Sequence, residues 1–491
     1  MTNRRASPSP SLPPSPPPPQ PPPPQPPSQP PSLSSRPSPS LSSCPSPPFP
    51  SLPPSLSSCR TRAAQVVILV AAALGLAVMV FWGRRLNVAN PAMQGSGSPW
   101  LGHWRFAPAA EHRWWVLCPI AVGAAVVAGW PRVCRRWSWS GLLAAVPVTA
   151  GAWTVAVACI DGPSDVAAPL RISTEYLAAL PQVTSLGTFL STYVERLGDY
   201  PIHVQGHPPG QVLLLWLLDR VGLGGAWPAT VQTIMFAVLA GVGVLTVVRW
   251  ECGEAVARRA AVFVGFAPAT WTIATSSDAT FCGVAVAANV AGFAAQRAAG
   301  WRAIGLGVAT GVAAASLCFL TYGGPLFLGP LLIPCWRVLQ GRRWGLVLAA
   351  TAGFSAVVAA FTTSGFWWFD GLAATRRAYA SGIALHRPFS YFVVANLWVL
   401  AVMVGPAALA GMVFLRRGSL ATLVAAAALG VAVADLSGLS KAEVERIWLP
   451  FVPWLVLIAA LQVRRWPMAR WWLAAQLVPT VVLPWFFVGQ W

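Results

Sequence analysis

Apolar runs long enough to cross a bilayer recur along this chain and constrain its fold more than any other feature. A crossing helix needs about 20 mostly apolar residues, and nearly charge-free windows close to that length follow one another from residue 63 to residue 489. Hydrophobic residues make up 55% of the chain and charged residues 10%, proportions that an ordinary soluble domain of this size does not show. The sequence therefore predicts an all-α polytopic transmembrane protein.

The apolar windows predict about thirteen spans. A turn at Tyr322-Gly323-Gly324-Pro325 divides the long charge-free run from Ala303 to Trp336 into two of them. We place the spans near residues 63–82, 114–131, 139–160, 227–248, 260–276, 279–296, 303–320, 322–336, 344–362, 391–415, 419–436, 447–463 and 471–489.

The predicted organisation has four parts. Residues 1–59 are almost entirely Pro and Ser, so we expect a disordered cytoplasmic tail with polyproline II character. Two accessory transmembrane helices follow in residues 60–138, and we expect the first of them to be an uncleaved span. Residues 139–463 form a transmembrane core with an outward loop at 161–210, and residues 464–491 hold a C-terminal transmembrane helix.

The charged residues predict the orientation of the spans. The net charge is +19, but the arginines lie in twos and threes between spans rather than on one patch, so we expect no nucleic-acid partner. Because short cytoplasmic loops are enriched in Arg, we assign to the cytoplasm the loops at residues 132–136, 249–259, 297–302, 337–343, 416–417 and 464–470. Nearly every acid then lies on the outer side, whereas Arg84 and Arg85 run against the rule. The nine cysteines are scattered and predict neither disulfides nor a metal cluster.

The outward loop after Ile160 carries the first candidate residues, because residues 161–218 hold five of the 14 carboxylates. Asp161 ends a predicted span at the membrane interface, where burial would raise its pKa and make it a proton acceptor. The alternative is that Asp161 only terminates the helix. Glu175 belongs to residues 167–180, whose apolar spacing predicts a helix lying in the interface, and a solvated Glu on that helix is its alternative.

Two histidines close the same loop. His203 and His207 flank Val204-Gln205-Gly206, and Pro208-Pro209 leads into an amphipathic segment at residues 211–221. Two histidines four residues apart could ligate a metal on a helix, but Gly206 and the two prolines disfavour a helix here. The pair alone is therefore weak support for a metal site.

A single acid, Asp278, lies between two predicted spans with almost no loop around it. A carboxylate held so near the hydrocarbon is energetically unfavourable, which favours a functional role. The alternative is a residue that caps the following helix together with Ser276 and Ser277.

Four charged residues directly precede the span at 447–463, and two of them, Lys441 and Arg446, are cations on the outer side. Because the positive-inside rule predicts few cations there, an anionic ligand would explain them. Arg offers a planar fork suited to phosphate oxygens, whereas an ion pair of Arg446 with Glu443 is the alternative. Further outward cations, some of which would meet lipid headgroups, are Arg376, Arg377, His386 and Arg387.

These motifs resemble a known family. The chain has an outward loop that opens with an acid and closes with His207-Pro208-Pro209. It also carries the acidic motif Ser277-Asp278-Ala279 and the later motif Glu445-Arg446-Ile447-Trp448-Leu449-Pro450. Together these features are similar to polyprenyl-phosphate-dependent integral membrane glycosyltransferases of the type C fold. Protein O-mannosyltransferases and lipid A aminoarabinose transferases belong to that group. The resemblance covers residues 139–463. Gly210 stands where those relatives carry Leu, and Asp161-Gly162 replaces their paired acid, which leaves three candidates for the base.

The resemblance implies an inverting transfer of one hexosyl or pentosyl unit from a polyprenyl phosphate to an acceptor hydroxyl at the outer face of the plasma membrane. The acceptor would be a cell-envelope glycan, lipid or protein, and membrane lipids would surround the chain. Family members differ in their need for a divalent metal, Mg²⁺ or Mn²⁺. The implied roles are a catalytic base (Asp161, Asp165 or Glu175), partners of the donor phosphate (Arg446, His207 and His203), and groups at or behind the substrate (Asp278, Glu443, Glu445 and Arg387).

A membrane transporter or a flippase for lipid-linked sugars is the competing class. Transporters typically show internal repeats and charged residues at mid-bilayer depth, whereas here the charges gather at the faces. A non-catalytic scaffold would leave the outward acids unexplained. The sequence therefore favours the transferase.

Overall fold

The computed structural model describes residues 56–90, 105–106 and 113–488. The predicted disordered tail lies outside this part, except for residues 56–59, which are helical. The described chain is helical apart from its turns and one two-residue antiparallel pair, Arg105–Phe106 with Phe487–Val488. The predicted all-helical membrane architecture is confirmed at this level.

The α-helices are α1 Leu56–Ala89, α2 Leu117–Arg136, α3 Trp139–Ala158, α4 Leu186–Thr192, α5 Ile202–Gln205, α6 Gly210–Arg220, α7 Ala226–Cys252, α8 Glu254–Ala261, α9 Ser277–Ala295, α10 Gly300–Leu320, α11 Gly324–Phe327, α12 Leu332–Gln340, α13 Trp344–Thr363, α14 Trp368–Ser381, α15 Phe389–Val404, α16 Pro406–Gly411, α17 Ser419–Leu436, α18 Val444–Ile447, α19 Val452–Leu455 and α20 Trp466–Phe486. Short 3-10 turns lie at Arg113–Val116, Cys159–Asp161, Ala168–Arg171, Tyr176–Gln182, Leu197–Asp199, Pro268–Thr272, Gly329–Leu331, Ile383–His386, Met412–Phe414, Leu449–Phe451 and Val456–Gln462. The interfacial helix predicted at 167–180 is thus two 3-10 turns.

Nine helical segments of the described chain are long and apolar enough to cross a membrane. A tenth follows if α15 and α16, which meet at a bend of 95°, are counted as one broken span. The predicted spans at 260–276 and 322–336 are not continuous helices, which accounts for part of the difference from about thirteen. Pro268, Pro325 and Pro330 lie in these segments, and proline interrupts a helix because it lacks the N–H donor.

One end of the bundle gathers the predicted cytoplasmic arginines. The Arg258 guanidinium donates to the carbonyl oxygens of Cys134 (3.0 Å) and Trp137 (2.9 Å). Glu251, at the end of α7, pairs with both Arg297 and Arg337, the latter at 2.7 Å. These contacts bring the loops after α2, α7, α9 and α12 together, and we call this the arginine end.

The opposite end gathers the predicted outer loops. Asp278 lies in the first turn of α9, whereas Arg297 follows the end of this 19-residue helix, about 28 Å away at 1.5 Å per residue. We call the end that contains Asp278 the acid end. Residues 254–275 and 324–340 each run from one end to the other, because Arg258 and Arg337 lie at the arginine end while Ala274 and Gly324 lie near the acid end.

Small residues allow the helices to approach closely. A Cβ atom added at Gly311 of α10 would lie 1.9 Å from the Ala350 carbonyl oxygen of α13, and one at Gly353 would lie 2.3 Å from the Val308 carbonyl oxygen. Such backbone contact is typical of membrane helix pairs, where small residues rather than hydrophobic burial permit close packing.

Candidate active site

Two distant parts of the first outer loop meet at Glu175 and His203. The Glu175 carboxylate Oε1 lies 2.8 Å from the His203 Nδ1, and both side chains are largely buried. The backbone N–H of His203 also donates to the Thr174 carbonyl oxygen at 3.3 Å. The single helical turn α5, which ends at Gly206, therefore presents His203 to the chain segment that carries Glu175.

The His207-Pro208-Pro209 turn is fixed by two buried tyrosines. The Tyr193 hydroxyl donates a bond shared between the carbonyl oxygens of Val204 (3.0 Å) and His207 (2.8 Å). The Tyr176 ring lies 5.9 Å from the His207 ring and 6.4 Å from the His203 ring, between centroids. Burial raises the pKa of the Tyr176 phenol well above its ordinary value, so Tyr176 remains a neutral hydroxyl at physiological pH.

Gly210 explains how this turn leads directly into the bundle. A Cβ atom at Gly210 would lie 2.3 Å from the Phe319 carbonyl oxygen at the end of α10. Only glycine allows α6 to begin so close to another backbone. The departure from the Leu of the resembling family is thus tied to the packing of α6 on α10 in this chain.

His207 is a neutral imidazole. Burial lowers its pKa to about 4, and although Asp278 opposes the shift, Arg446 and His203 add to it. Its ring packs against Phe281 of α9 at 5.3 Å between centroids. His207 therefore carries no positive charge at neutral pH, and one of its ring nitrogens already hydrogen-bonds the Leu320 backbone.

Asp278 and Arg446 form a buried ion pair between residues 168 positions apart. The Arg446 Nη1 lies 3.1 Å from the Asp278 Oδ2, and the two side chains are 9% and 3% exposed. Ser276, not Asp278, caps α9, because its hydroxyl accepts from the Asp278 backbone N–H at 3.2 Å. The Ser276 hydroxyl also donates to the Asp278 Oδ2 at 2.9 Å, which holds the carboxylate toward Arg446.

The same guanidinium contacts a second carboxylate. The Arg446 Nη2 lies 2.7 Å from the Glu443 Oε2, the ion pair that the sequence offered as an alternative role for Arg446. Arg387 also approaches Glu443, at 3.5 Å, and donates to the Lys441 carbonyl oxygen at 2.6 Å. Two carboxylates and two guanidiniums thus alternate at the acid end.

The backbone that presents Glu443 is in an unusual conformation. Ala442 and Glu443 have φ angles of 70° and 62°, in the left-handed region that non-glycine residues rarely adopt. Hydrogen bonds from neighbouring elements hold the segment: the Asn396 side chain donates to the Ser440 carbonyl oxygen at 2.7 Å, and the Lys441 N–H donates to the Tyr379 hydroxyl at 3.1 Å. Residues in such conformations persist only when their surroundings determine them, and they are common at functional sites.

An apolar cavity of about 50 Å³ lies beside this charged cluster. Cys282, one turn of α9 beyond Asp278, and Leu449, three residues beyond Arg446, both line it. The remaining lining comes from α3, α7, residues 264–273 and residues 452–456, and it is mostly Ala, Gly and Val. The cavity is thus reached one helical turn beyond Asp278 and three residues beyond Arg446, although neither charged side chain lines it.

The resemblance allows a divalent metal. No group of three or more His, Cys, Asp or Glu side chains that could hold a metal ion exists among the described residues.

Two solved structures of ArnT from Cupriavidus metallidurans are similar to this chain. The apo structure is 19% identical, with a TM-score of 0.35, and the match covers 57% of this chain and 55% of that one. The structure bound to undecaprenyl phosphate is 18% identical, with a TM-score of 0.39, and the match covers 67% of this chain and 60% of that one. The match therefore spans less than two thirds of either ArnT chain. No protein-family model and no curated protein matches the sequence.

The structure brings together most of the residues that the sequence singled out. The gathered residues are Glu175, His203, His207, Asp278, Arg387, Glu443 and Arg446. Glu445 is buried next to Arg446, and its carbonyl oxygen lies 3.5 Å from the Thr272 hydroxyl. Asp161 and Asp165 are exposed at the start of the outer loop. Of the three acids considered as base, Glu175 alone is buried.

Sequence reasoning missed the tyrosines that hold the site. Tyr176, Tyr193 and Tyr379 contact His207, the His207 carbonyl and Lys441, respectively. The signal was present in the sequence, because all six tyrosines lie in or beside predicted outer loops. A tyrosine places a polar hydroxyl at the end of an apolar ring, which suits a site between protein interior and water.

Proposed function

We propose that this integral membrane protein transfers one sugar from a polyprenyl phosphate to an acceptor hydroxyl at the outer face of the membrane, with inversion. The observation that carries the proposal is Arg446, a buried guanidinium that engages two carboxylates at the acid end of a membrane-spanning bundle. A lipid phosphate suits such a site, because it carries an anionic head group on an apolar chain. The N-terminal tail would then be cytoplasmic.

Arg446 is suited to the phosphate of such a donor. Its planar fork now engages Asp278 and Glu443, one carboxylate on each terminal nitrogen. A phosphate offers the same pair of oxygens, so the donor can replace one carboxylate without leaving the guanidinium unpaired. Arg387 is near enough to receive the displaced Glu443. As the sugar leaves, the growing charge on the phosphate is stabilised by Arg446, which makes a general acid unnecessary.

The acceptor hydroxyl requires a base as the oxocarbenium-like transition state develops. We assign this role to the site around Glu175 rather than to Asp161 or Asp165. Glu175 and Arg446 interact electrostatically, as do Tyr176 and Arg446, so these groups lie near one another at the acid end. Asp161 and Asp165 are exposed to solvent, whereas Glu175 is buried.

The proposal is tested with the purified full-length protein and a panel of polyprenyl-phosphate sugars with candidate acceptors, by measuring released polyprenyl phosphate. We expect release from at least one donor, with a product of inverted anomeric configuration. Arg446→Ala serves as the inactive control.

The same lipids are added in a thermal unfolding assay, in which anything that binds only the folded state raises the midpoint. A donor that stabilises the wild type but not Arg446→Ala supports the phosphate site. Stabilisation by a lipid-linked sugar without any release, in every donor and acceptor combination, would favour the transporter or flippase instead.

A further inference from the structure

We infer that Glu175 and His203 act as a pair, in which His203 receives the proton of the acceptor hydroxyl and Glu175 orients the imidazole. The inference rests on the proposed function and names the atom that acts as base. It assigns His203 to the proton rather than to the donor phosphate, and it makes Glu175 a positioning residue rather than the base.

The hydrogen bond between the two side chains determines which imidazole nitrogen is basic. Nδ1 of His203 lies 2.8 Å from Oε1 of Glu175. An ionised carboxylate only accepts hydrogen bonds, so Nδ1 carries the hydrogen and Nε2 keeps its lone pair. The backbone bond from His203 to Thr174 holds the two chain segments in register, which fixes the direction of the ring. Nε2 is thereby left as the basic atom of the pair.

The pair is better suited to proton transfer than either acid at the start of the loop. A histidine whose one ring nitrogen is held by a carboxylate is a common general base, because the carboxylate fixes the tautomer and leaves the other nitrogen to take the proton. The carboxylate of Glu175 stabilises the imidazolium that forms. Both side chains are largely buried, with exposures of 11% for His203 and 7% for Glu175, so the pair is mostly shielded from bulk water.

The surroundings of His203 provide the remaining charges. Tyr176 lies against its ring, and His207, which interacts electrostatically with His203, is neutral. Asp278 and Arg446 also act electrostatically on His207, and Glu175 acts on Arg446, so the pair and the Arg446 cluster belong to the same polar region of the acid end.

The proposed step balances as follows. The acceptor O–H bond breaks and its proton moves to Nε2 of His203, while a new bond forms between the acceptor oxygen and the anomeric carbon. The bond from the anomeric carbon to the phosphate oxygen breaks, and its electron pair stays on the polyprenyl phosphate, which Arg446 holds. His203 afterwards releases the proton to water.

The first test is chemical rescue, with undecaprenyl-phosphate donors and the wild-type chain as reference. His203→Ala should lower the rate of undecaprenyl phosphate release by about 10²-fold or more, and added imidazole should restore part of it. Glu175→Ala should lower the release rate by a smaller factor. The double variant should be no slower than His203→Ala, because Glu175 acts through His203. Full activity of His203→Ala, or a larger loss in Glu175→Ala that imidazole does not change, would overturn the assignment.

A second test does not depend on turnover. The protein has five histidines, so ¹⁵N-histidine labelling with His203→Gln as the assignment control identifies the His203 signals in detergent solution. We expect the tautomer protonated at Nδ1 in the wild type and its loss in Glu175→Ala. A wild-type His203 protonated at Nε2 overturns the pair, whether or not any donor is active. A wild-type chain with the expected tautomer but no release from any donor would instead contradict the proposed function.

Discussion

Arg446 shows how one side chain can have both a structural and a chemical role. Its contacts with Asp278 and Glu443 are buried, and removing one partner of a buried ion pair typically destabilises a protein by about 3–5 kcal/mol. The pairing that stabilises the apo protein also keeps the guanidinium in place for a phosphate. The ion pair with Glu443 and the proposed phosphate site are therefore compatible.

Arg446→Lys should retain the charge but lose the two-pronged geometry, and we expect donor use to fall about 10-fold or more. Arg446→Ala should reduce donor use further than Arg446→Lys does, and it should also lower the thermal stability. The matched control is Arg196→Lys, because Arg196 also pairs with an acid three residues away, Asp199, but on the surface, where such pairs contribute roughly 0–1 kcal/mol. Equal, small effects of the two Lys variants on polyprenyl phosphate release would contradict the phosphate role.

His207 predicts a pH dependence of stability. Its pKa is about 4 in the folded protein and near 6.5 when unfolded, so the unfolded chain binds the proton first as the pH falls. Stability from this group is complete above pH 6.5 and is lost progressively towards pH 4, by at most about 3 kcal/mol. In His207→Gln, the part of the acid-induced loss of stability that comes from His207 should be absent. His386→Gln, at an exposed histidine, should lose stability with falling pH as the wild type does. Thermal unfolding at several pH values measures the difference.

The sequence predicted the residue types of the site better than their contacts. The pair of Arg446 with Glu443 follows from a spacing of three residues, so it was available as an alternative. The contact of Arg446 with Asp278 joins residues 168 positions apart, and no local pattern encodes it. Glu175 was one of three candidate bases, with a solvated position on an amphipathic helix as the alternative, and its contact with His203 depends on how the loop folds back.

At the scale of elements, prolines account for most of the difference between predicted and observed helices. Mean hydropathy over a window does not distinguish a continuous helix from a series of short helical turns. Residues 444–462 show this, because they are apolar enough to cross a membrane but consist of short turns that contain Pro450 and Pro453. The segments before Asp278 and Arg446 are both irregular, at the Pro268–Thr272 turn and at residues 440–443. Irregular backbone within a membrane protein is tolerated where it is buried in protein or lines a cavity.

The segment at residues 440–443 gives a prediction about stability. Ala442 has a φ of 70°, which is unfavourable for a residue with a Cβ atom by roughly 1–2 kcal/mol. Ala442→Gly should therefore leave the thermal midpoint unchanged or raise it, despite the larger entropy of glycine in the unfolded chain. The opposite result is expected for Ala373→Gly, at an exposed position inside α14, which should lose about 1 kcal/mol. Similar destabilisation by both variants would show that the left-handed conformation is not strained.

At the scale of the molecule, the arrangement of the loops was predictable because charge and hydropathy act over the whole chain. Arginines that the positive-inside rule assigned to one side contact one another through Glu251, and the candidate residues of the other side meet around Arg446. The exact path between the two ends was less predictable, since two crossings are broken helices. The separation of the two ends is a property of the structure, whereas the assignment of each end to a side of the membrane is a prediction.

Cysteine labelling in intact cells tests that assignment, using a background in which the nine native cysteines are replaced. Glu195 is exposed in the outer loop at the acid end, and Ala299 is exposed between α9 and α10 at the arginine end. Because short loops rich in Arg stay in the cytoplasm, a membrane-impermeant reagent should label Glu195→Cys directly and Ala299→Cys only after permeabilisation. The reverse pattern would place the acid end in the cytoplasm and exclude an acceptor outside the cell, and labelling of both variants in sealed cells would contradict the separation of the two ends.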